Sequence, residues 1–121
     1  MSQQEIEHLP RTVTLKTYKE TVRLIDSGRK GVEIRVKDSV VDALVPGDFL
    51  KFDKSSTREL LITRVATYGN IEEAMKVEDA RRVMPGFSTQ EIIRYFRFGH
   101  SPKQRNMPVV ALEWNPETRY R

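Results

Sequence analysis

Residues 32–36 read Val-Glu-Ile-Arg-Val. Strict alternation of apolar and charged side chains over five positions is the pattern of a half-buried strand, because successive side chains leave a strand on opposite faces. Val32, Ile34 and Val36 therefore share one face, and Glu33 and Arg35 project together from the other. Just upstream, Ser27-Gly28 is a natural helix stop, since glycine takes the left-handed conformation at low cost. Lys30 lies between that stop and the strand. Eleven residues after Arg35, Pro46-Gly47-Asp48 begins a run into Phe49-Leu50-Lys51-Phe52. Proline preset for the second position of a tight turn, followed by glycine free to take positive φ, delivers the chain into a second strand. Lys30, Glu33 and Arg35 thus make a polar cluster of two cations and one carboxylate. Such a cluster can hold a phosphate or a nucleobase, or it can be a structural salt bridge closing the mouth of a barrel.

The rest of the chain supplies more short elements. Thr12 to Leu15 alternates weakly and suits a first strand. Tyr18, Val22 and Ile25 fall on one helical face. Ser39 to Leu44 reads as a turn or helical bend. Phe49 to Phe52 and Glu59 to Thr67, joined by the polar turn Lys54 to Thr57, read as a hairpin. Ile71 to Val77 and Val77 to Met84 read as two short helices, with Val77, Ala80 and Met84 on one face and Glu72-Glu73 as an acidic first turn favourable to the helix dipole. Pro85-Gly86 breaks the chain. Ser88 and Glu91 form a capping box that opens a helix burying Ile92, Ile93 and Phe96. Gly99 to Asn106 is a basic loop, and Val109 to Trp114 is the last strand, with Trp114 packing on the barrel end. Residues 1–10 and 115–121 read as tails around one domain, 11–114. Five or six short strands with short helices inserted between them predict an α+β domain built on a small mixed β-barrel.

At 121 residues the chain can bury a modest core in one domain. It has no cysteine, which excludes disulfides and thiolate metal sites. No apolar run approaches the ~20 residues of a membrane span, and the polar start lacks signal-peptide character, so a cytoplasmic protein is expected. The two histidines, His8 and His100, have no ligand spacing, so no metal is expected. Phosphate-loop and dinucleotide fingerprints are absent, and no cofactor is expected.

The net charge of +4 is mild, but its distribution is uneven. Between Glu91 and Glu113 no acidic residue occurs, while Arg94, Arg97, His100, Lys103 and Arg105 are interleaved with Tyr95, Phe96 and Phe98. Local basic charge with aromatics is the footprint of a nucleic-acid binder, although aromatics at helical spacing also serve as core. Phe96, at i+4 from Ile92, belongs to the core. Arg94, Tyr95, Arg97, Lys103 and Arg105 are candidates for a ligand rim, and Tyr68, at a strand end, for stacking on a base.

The order Gly-x-Lys-x-x-Glu-x-Arg, then Pro-Gly-Asp with an apolar strand, resembles the ASCH domain family. Val65 to Tyr68 before the helix at Ile71-Glu72-Glu73, then Met84-Pro85-Gly86, Tyr95-Phe96 and Met107 to Leu112, extend the resemblance over residues 11–114. The resemblance implies a PUA-like barrel in which the positions of Lys30, Glu33 and Arg35 line a cleft between barrel and inserted helices. It also implies a single-stranded RNA or modified-nucleoside partner. In one branch, similar to N4-acetylcytidine amidohydrolase, a threonine follows the motif lysine by three residues. Here that position is Glu33, and a carboxylate does not replace a hydroxyl nucleophile. Gly31 also departs from the threonine common there. A hydrolase alternative, amidohydrolase-like or ribonuclease-like, would use Lys30 with Glu33 as general base. A third reading is a protein-interaction module in transcription or translation regulation.

Overall fold

The computed structural model describes residues 9–54 and 59–120, and of the last five of these only the backbone. In chain order the elements are β1 (Thr12–Leu15), α1 (Lys19–Asp26), β2 (Val32–Val36), α2 (Ser39–Asp42), β3 (Phe49–Phe52), β4 (Glu59–Tyr68), α3 (Ile71–Val77), α4 (Ala80–Val83), α5 (Thr89–Phe98) and β5 (Val109–Tyr120). A 3-10 turn, Gln104–Asn106, precedes β5. The strands form one mixed sheet in the order β1-β3-β4-β5-β2, in which only β1 and β3 run parallel. The sheet curls into a small barrel with the short helices inserted between its strands.

Two apolar clusters occupy the two faces of the sheet. Inside the curl, Leu15, Leu50, Phe52, Leu60, Ile62, Val110, Leu112 and Trp114 pack with Ile25, Val41 and Leu44. On the outer face, Val32 and Ala111 meet Ile71 and Met75 of α3, Val83 of α4 and Ile92 of α5. The register is irregular between Leu60, Ile62 and Arg64. An extra residue in a strand resets which face the following side chains occupy. Leu60, Ile62 and Val65 therefore all pack inward, while Arg64, Ala66 and Tyr68 turn to the helices.

Pro46-Gly47-Asp48 owes its form to the backbone around it. Gly47 has φ +100°, and the buried Asp48 carboxylate accepts hydrogen bonds from the Arg11 and Val45 amides at 3.0 and 3.1 Å. This part of the motif ties the start of β1 to the start of β3.

Several elements differ from the sequence expectation. Tyr18 is the exposed residue preceding α1, so only Val22 and Ile25 of its trio are buried. The helical stretch 71–84 is interrupted at Glu78-Asp79, where Asp79 caps a new turn. That break resets the helical phase, leaving Val77 exposed and burying Val83. The last strand does not stop at Trp114: β5 continues through Tyr120, because residues 119 and 120 pair with Leu60 and Glu59. Residues 115–120 are therefore strand rather than tail. The expected N-terminal tail falls mostly outside the described residues. Among the described residues, no helix is long and apolar enough to cross a membrane.

Candidate ligand-binding site

β2 places Val32 and Ile34 against the outer cluster and turns Glu33 and Arg35 to the opposite face. Glu33 pairs in register with Leu112 and Arg35 with Val110, both of which belong to the barrel core. The alternation legible in the sequence thus carries two charged side chains to the barrel interior.

Lys30 is only 1% exposed. Its Nζ donates to the carbonyls of Val32 and Val83, both at 2.6 Å, and lies 3.0 Å from Glu33 Oε1. Three partners match the three protons of an ammonium group. Glu33 is held on its other side by Arg35, whose Nε donates to Oε2 at 2.6 Å. Burial pushes the Glu33 carboxyl pKa up, but the charges and hydrogen bonds of Lys30 and Arg35 outweigh it and hold the group below its ordinary 4.5. A carboxylate held in this way is a weak proton acceptor at neutral pH, which counts against Glu33 as a general base.

Arg35 has a second contact that the sequence does not reveal. Its Nη2 donates to the carbonyl of Lys16, just past β1. β1 and β2 are the two ends of the sheet order and do not pair with each other. One guanidinium therefore bridges the seam of the barrel. Beside it opens a cavity of about 380 Å3 lined by Lys16, Arg35, Asp38, Val40, His100 and Gln104, among others. The basic loop thus reaches the seam through His100 and Gln104, two residues that composition did not single out for the site. Their signal was present in the sequence only as polar residues in a loop of unknown placement.

The expected rim is divided. Arg94 and Arg97 line a different groove, about 540 Å3, between α3 and α5, with Glu72, Lys76, Met75 and Ile93. Arg97 pairs with Glu72. Arg105 Nε donates to the carbonyls of Arg97 and His100, clamping the loop. Lys103 is exposed on that loop. Tyr95 is mostly exposed and packs edge-on against Phe87 at 5.3 Å. Tyr68 faces the outer cluster, and its hydroxyl donates to Glu78, so its ring is not presented to a base at the seam. Among the described residues, no group of three or more acidic or histidine side chains is arranged to hold a metal ion.

A second ionic network lies on the helix side. Arg64 donates to both oxygens of Glu78, at 3.0 and 2.5 Å, and to Glu113 at 2.5 Å. Burial raises the Glu78 pKa, and the bonds from Arg64 and Tyr68 override it, with a net lowering. Arg82 joins through Glu113 at 3.4 Å and donates to the Trp114 carbonyl at 3.0 Å. This explains Gly31: a Cβ there would lie 2.0 Å from Arg82 Nη2. Gly31→Ala is expected to displace that guanidinium without moving the backbone and to cost about 1 kcal/mol, the scale of one hydrogen bond. Chemical denaturation measures it, and Arg82→Ala in the same background should then add little.

The lowered pKa values set the acid response. A carboxylate whose pKa is depressed on folding contributes stability above its unfolded value, and that contribution is lost as pH falls through the folded value. For Glu33 and Glu78 the loss begins near 4.5 and continues below it. Urea midpoints should therefore not vary with pH through these groups near neutrality and should fall below pH 4.5, with a shallower fall in Glu33→Gln.

No family model and no curated protein sequence matches the chain. Solved structures do. Hypothetical protein PH0355 superposes with a TM-score of 0.76 at 23% identity, covering 87% of this chain and 97% of that one. Protein PF0455 from Pyrococcus furiosus gives 0.66 at 23% identity, covering 86% and 96%. A point variant of ZmASCH from Zymomonas mobilis gives 0.62 at 14% identity, covering 91% and 73%. With the barrel, the inserted helices and the Lys30 motif strand all in place, this chain has the fold of an ASCH domain.

Proposed function

We propose that this chain binds single-stranded RNA, or a nucleotide-like ligand, at the seam cavity, with Arg35 as the phosphate contact. Arg35 carries the reading. Glu33 and the Lys16 carbonyl take two of its five N–H donors, and the side chain lines a cavity that Lys16, His100 and Gln104 also line. A guanidinium fork fixed in orientation is well suited to phosphate oxygens. Lys30 and Glu33 act as its support on this reading. Away from the seam cavity, α5 exposes Tyr95 and, at 88%, Phe98. These offer stacking surface to splayed bases, which favours single strands over A-form duplexes. On this reading the chain works in the cytoplasm.

Fluorescence anisotropy with a labelled single-stranded RNA of mixed sequence, titrated at several salt concentrations, provides the test. Arg35→Gln is expected to weaken binding by about tenfold and to reduce the slope of log affinity against log salt by about 1. Equal affinity and slope in the variant would remove Arg35 from the interface and end the reading.

A further inference from the structure

We propose that the seam cavity is a pocket for a phosphate monoester, the terminal phosphate of a nucleotide or of an RNA end, and that His100 makes the contact proton-dependent. The inference rests on the RNA-binding reading and specifies its ligand chemistry.

Size and shape come first. At about 380 Å3 the cavity lies at the small end of ligand pockets, enough for one nucleotide and not for a run of them. The donor-bearing residues that line it come from three parts of the chain: Lys16 after β1, Arg35 on β2, and His100 with Gln104 from the loop after α5. Donors from three directions suit the three terminal oxygens of a monoester better than the two free oxygens of a diester inside a strand.

His100 is held for this task. Its ring stacks on Phe96 with centroids 4.1 Å apart, and its Nδ1 lies 2.6 Å from the Phe96 carbonyl oxygen. A carbonyl only accepts, so Nδ1 carries the hydrogen and Nε2 is the ring atom that gains or loses the second proton. Neutral, Nε2 is an acceptor and repels a phosphate oxygen. Protonated, it donates to one. The charged groups around it are Lys16 and Arg35 from the strand side, Asp38 before α2, and Arg105, whose Nε is held by the Arg97 and His100 carbonyls. Asp38 Oδ1 accepts from the Val40 and Val41 amides. Among the described residues that line the cavity, Lys16 and Arg35 face one carboxylate, Asp38, with Glu33 paired behind Arg35, and an anion entering the cavity favours the imidazolium.

The sequence contains two histidines, His8 and His100, so imidazole NMR signals can be followed individually, and those missing from His100→Gln belong to His100. The probes are hexauridylates with a 5′-phosphate, with a 3′-phosphate, and with hydroxyls at both ends. A phosphorylated end is expected to bind at least about tenfold tighter than the hydroxyl-ended probe near pH 6, and the preferred end identifies the source. Saturation with that probe should raise the His100 titration midpoint, because a ligand that prefers the protonated form stabilises it. The monoester itself titrates near pH 6, so the His100 contribution is read as the difference between wild type and His100→Gln. That variant should lose the gain in affinity between about pH 8 and pH 6. Lys16→Gln, at an exposed position, should weaken only the phosphorylated probes.

Equal affinity for all three probes would overturn the monoester pocket while leaving RNA binding intact. Preference for a phosphorylated end with an unmoved His100 midpoint would remove His100 from the site. Absence of binding by every probe would end both this inference and the reading beneath it.

Discussion

Lys30→Ala is expected to lose about 3–5 kcal/mol of folding stability, the cost of breaking a buried ion pair from one side. The substitution leaves Glu33 Oε1 without its partner, so that Arg35 alone holds the carboxylate, and leaves the Val32 and Val83 carbonyls without their shared donor. It also loosens α4, which contributes Val83. Urea denaturation of wild type and variant measures the loss. Lys30→Met should recover part of it, since the longer aliphatic chain refills the space that alanine empties. If Lys30→Ala unfolds with the wild-type midpoint, the ammonium is not structural and the assignment of Lys30 as support for Arg35 fails.

Trp114→Ala is expected to cost a similar amount, about 3–5 kcal/mol, for truncating a large core side chain. Trp114 is fully buried in the barrel and meets the Phe52 ring at 5.6 Å. It also lies opposite Ile62, between the two register shifts of β4. A cavity there removes packing from both β3 and β4. Its Nε1 is buried with no hydrogen-bond partner among the described residues, so Trp114→Phe gives up no internal hydrogen bond and should fall well short of the alanine loss. Thermal unfolding of both variants distinguishes packing from polarity: equal losses would contradict the packing account.

The strand at 32–36 was legible because alternation of this kind has one physical solution, and it placed Glu33 beside Arg35 correctly. The capping box at Ser88 was equally plain and is present with both of its hydrogen bonds. What the sequence could not convey was destination. Lys30 read as part of a polar cluster, for a ligand or for a structural salt bridge, and two backbone carbonyls with Glu33 take it into the core. Arg94, Arg97 and Arg105 looked equivalent by composition. The fold sends the first two to a groove against α3 and uses the third to pin a loop, and only the tertiary placement of His100 and Gln104 identifies which part of the basic segment meets the motif strand. The partner of the Tyr68 hydroxyl, Glu78, was hidden for the same reason: it lies on a neighbouring element that periodicity does not connect to it.

The strand order has a consequence for how the molecule is made. β2 hydrogen-bonds only to β5 within the sheet, so its partner lies more than half the chain away. During synthesis, residues 32–36 must wait, unpaired, until nearly the whole domain has left the ribosome. β1, β3 and β4 can associate earlier, because their pairings are comparatively local. Closure of so distant a contact is an entropic hurdle that slows folding. The charged face of β2 keeps that waiting segment soluble, so the residues that build the seam also shield the nascent chain until its final strand arrives.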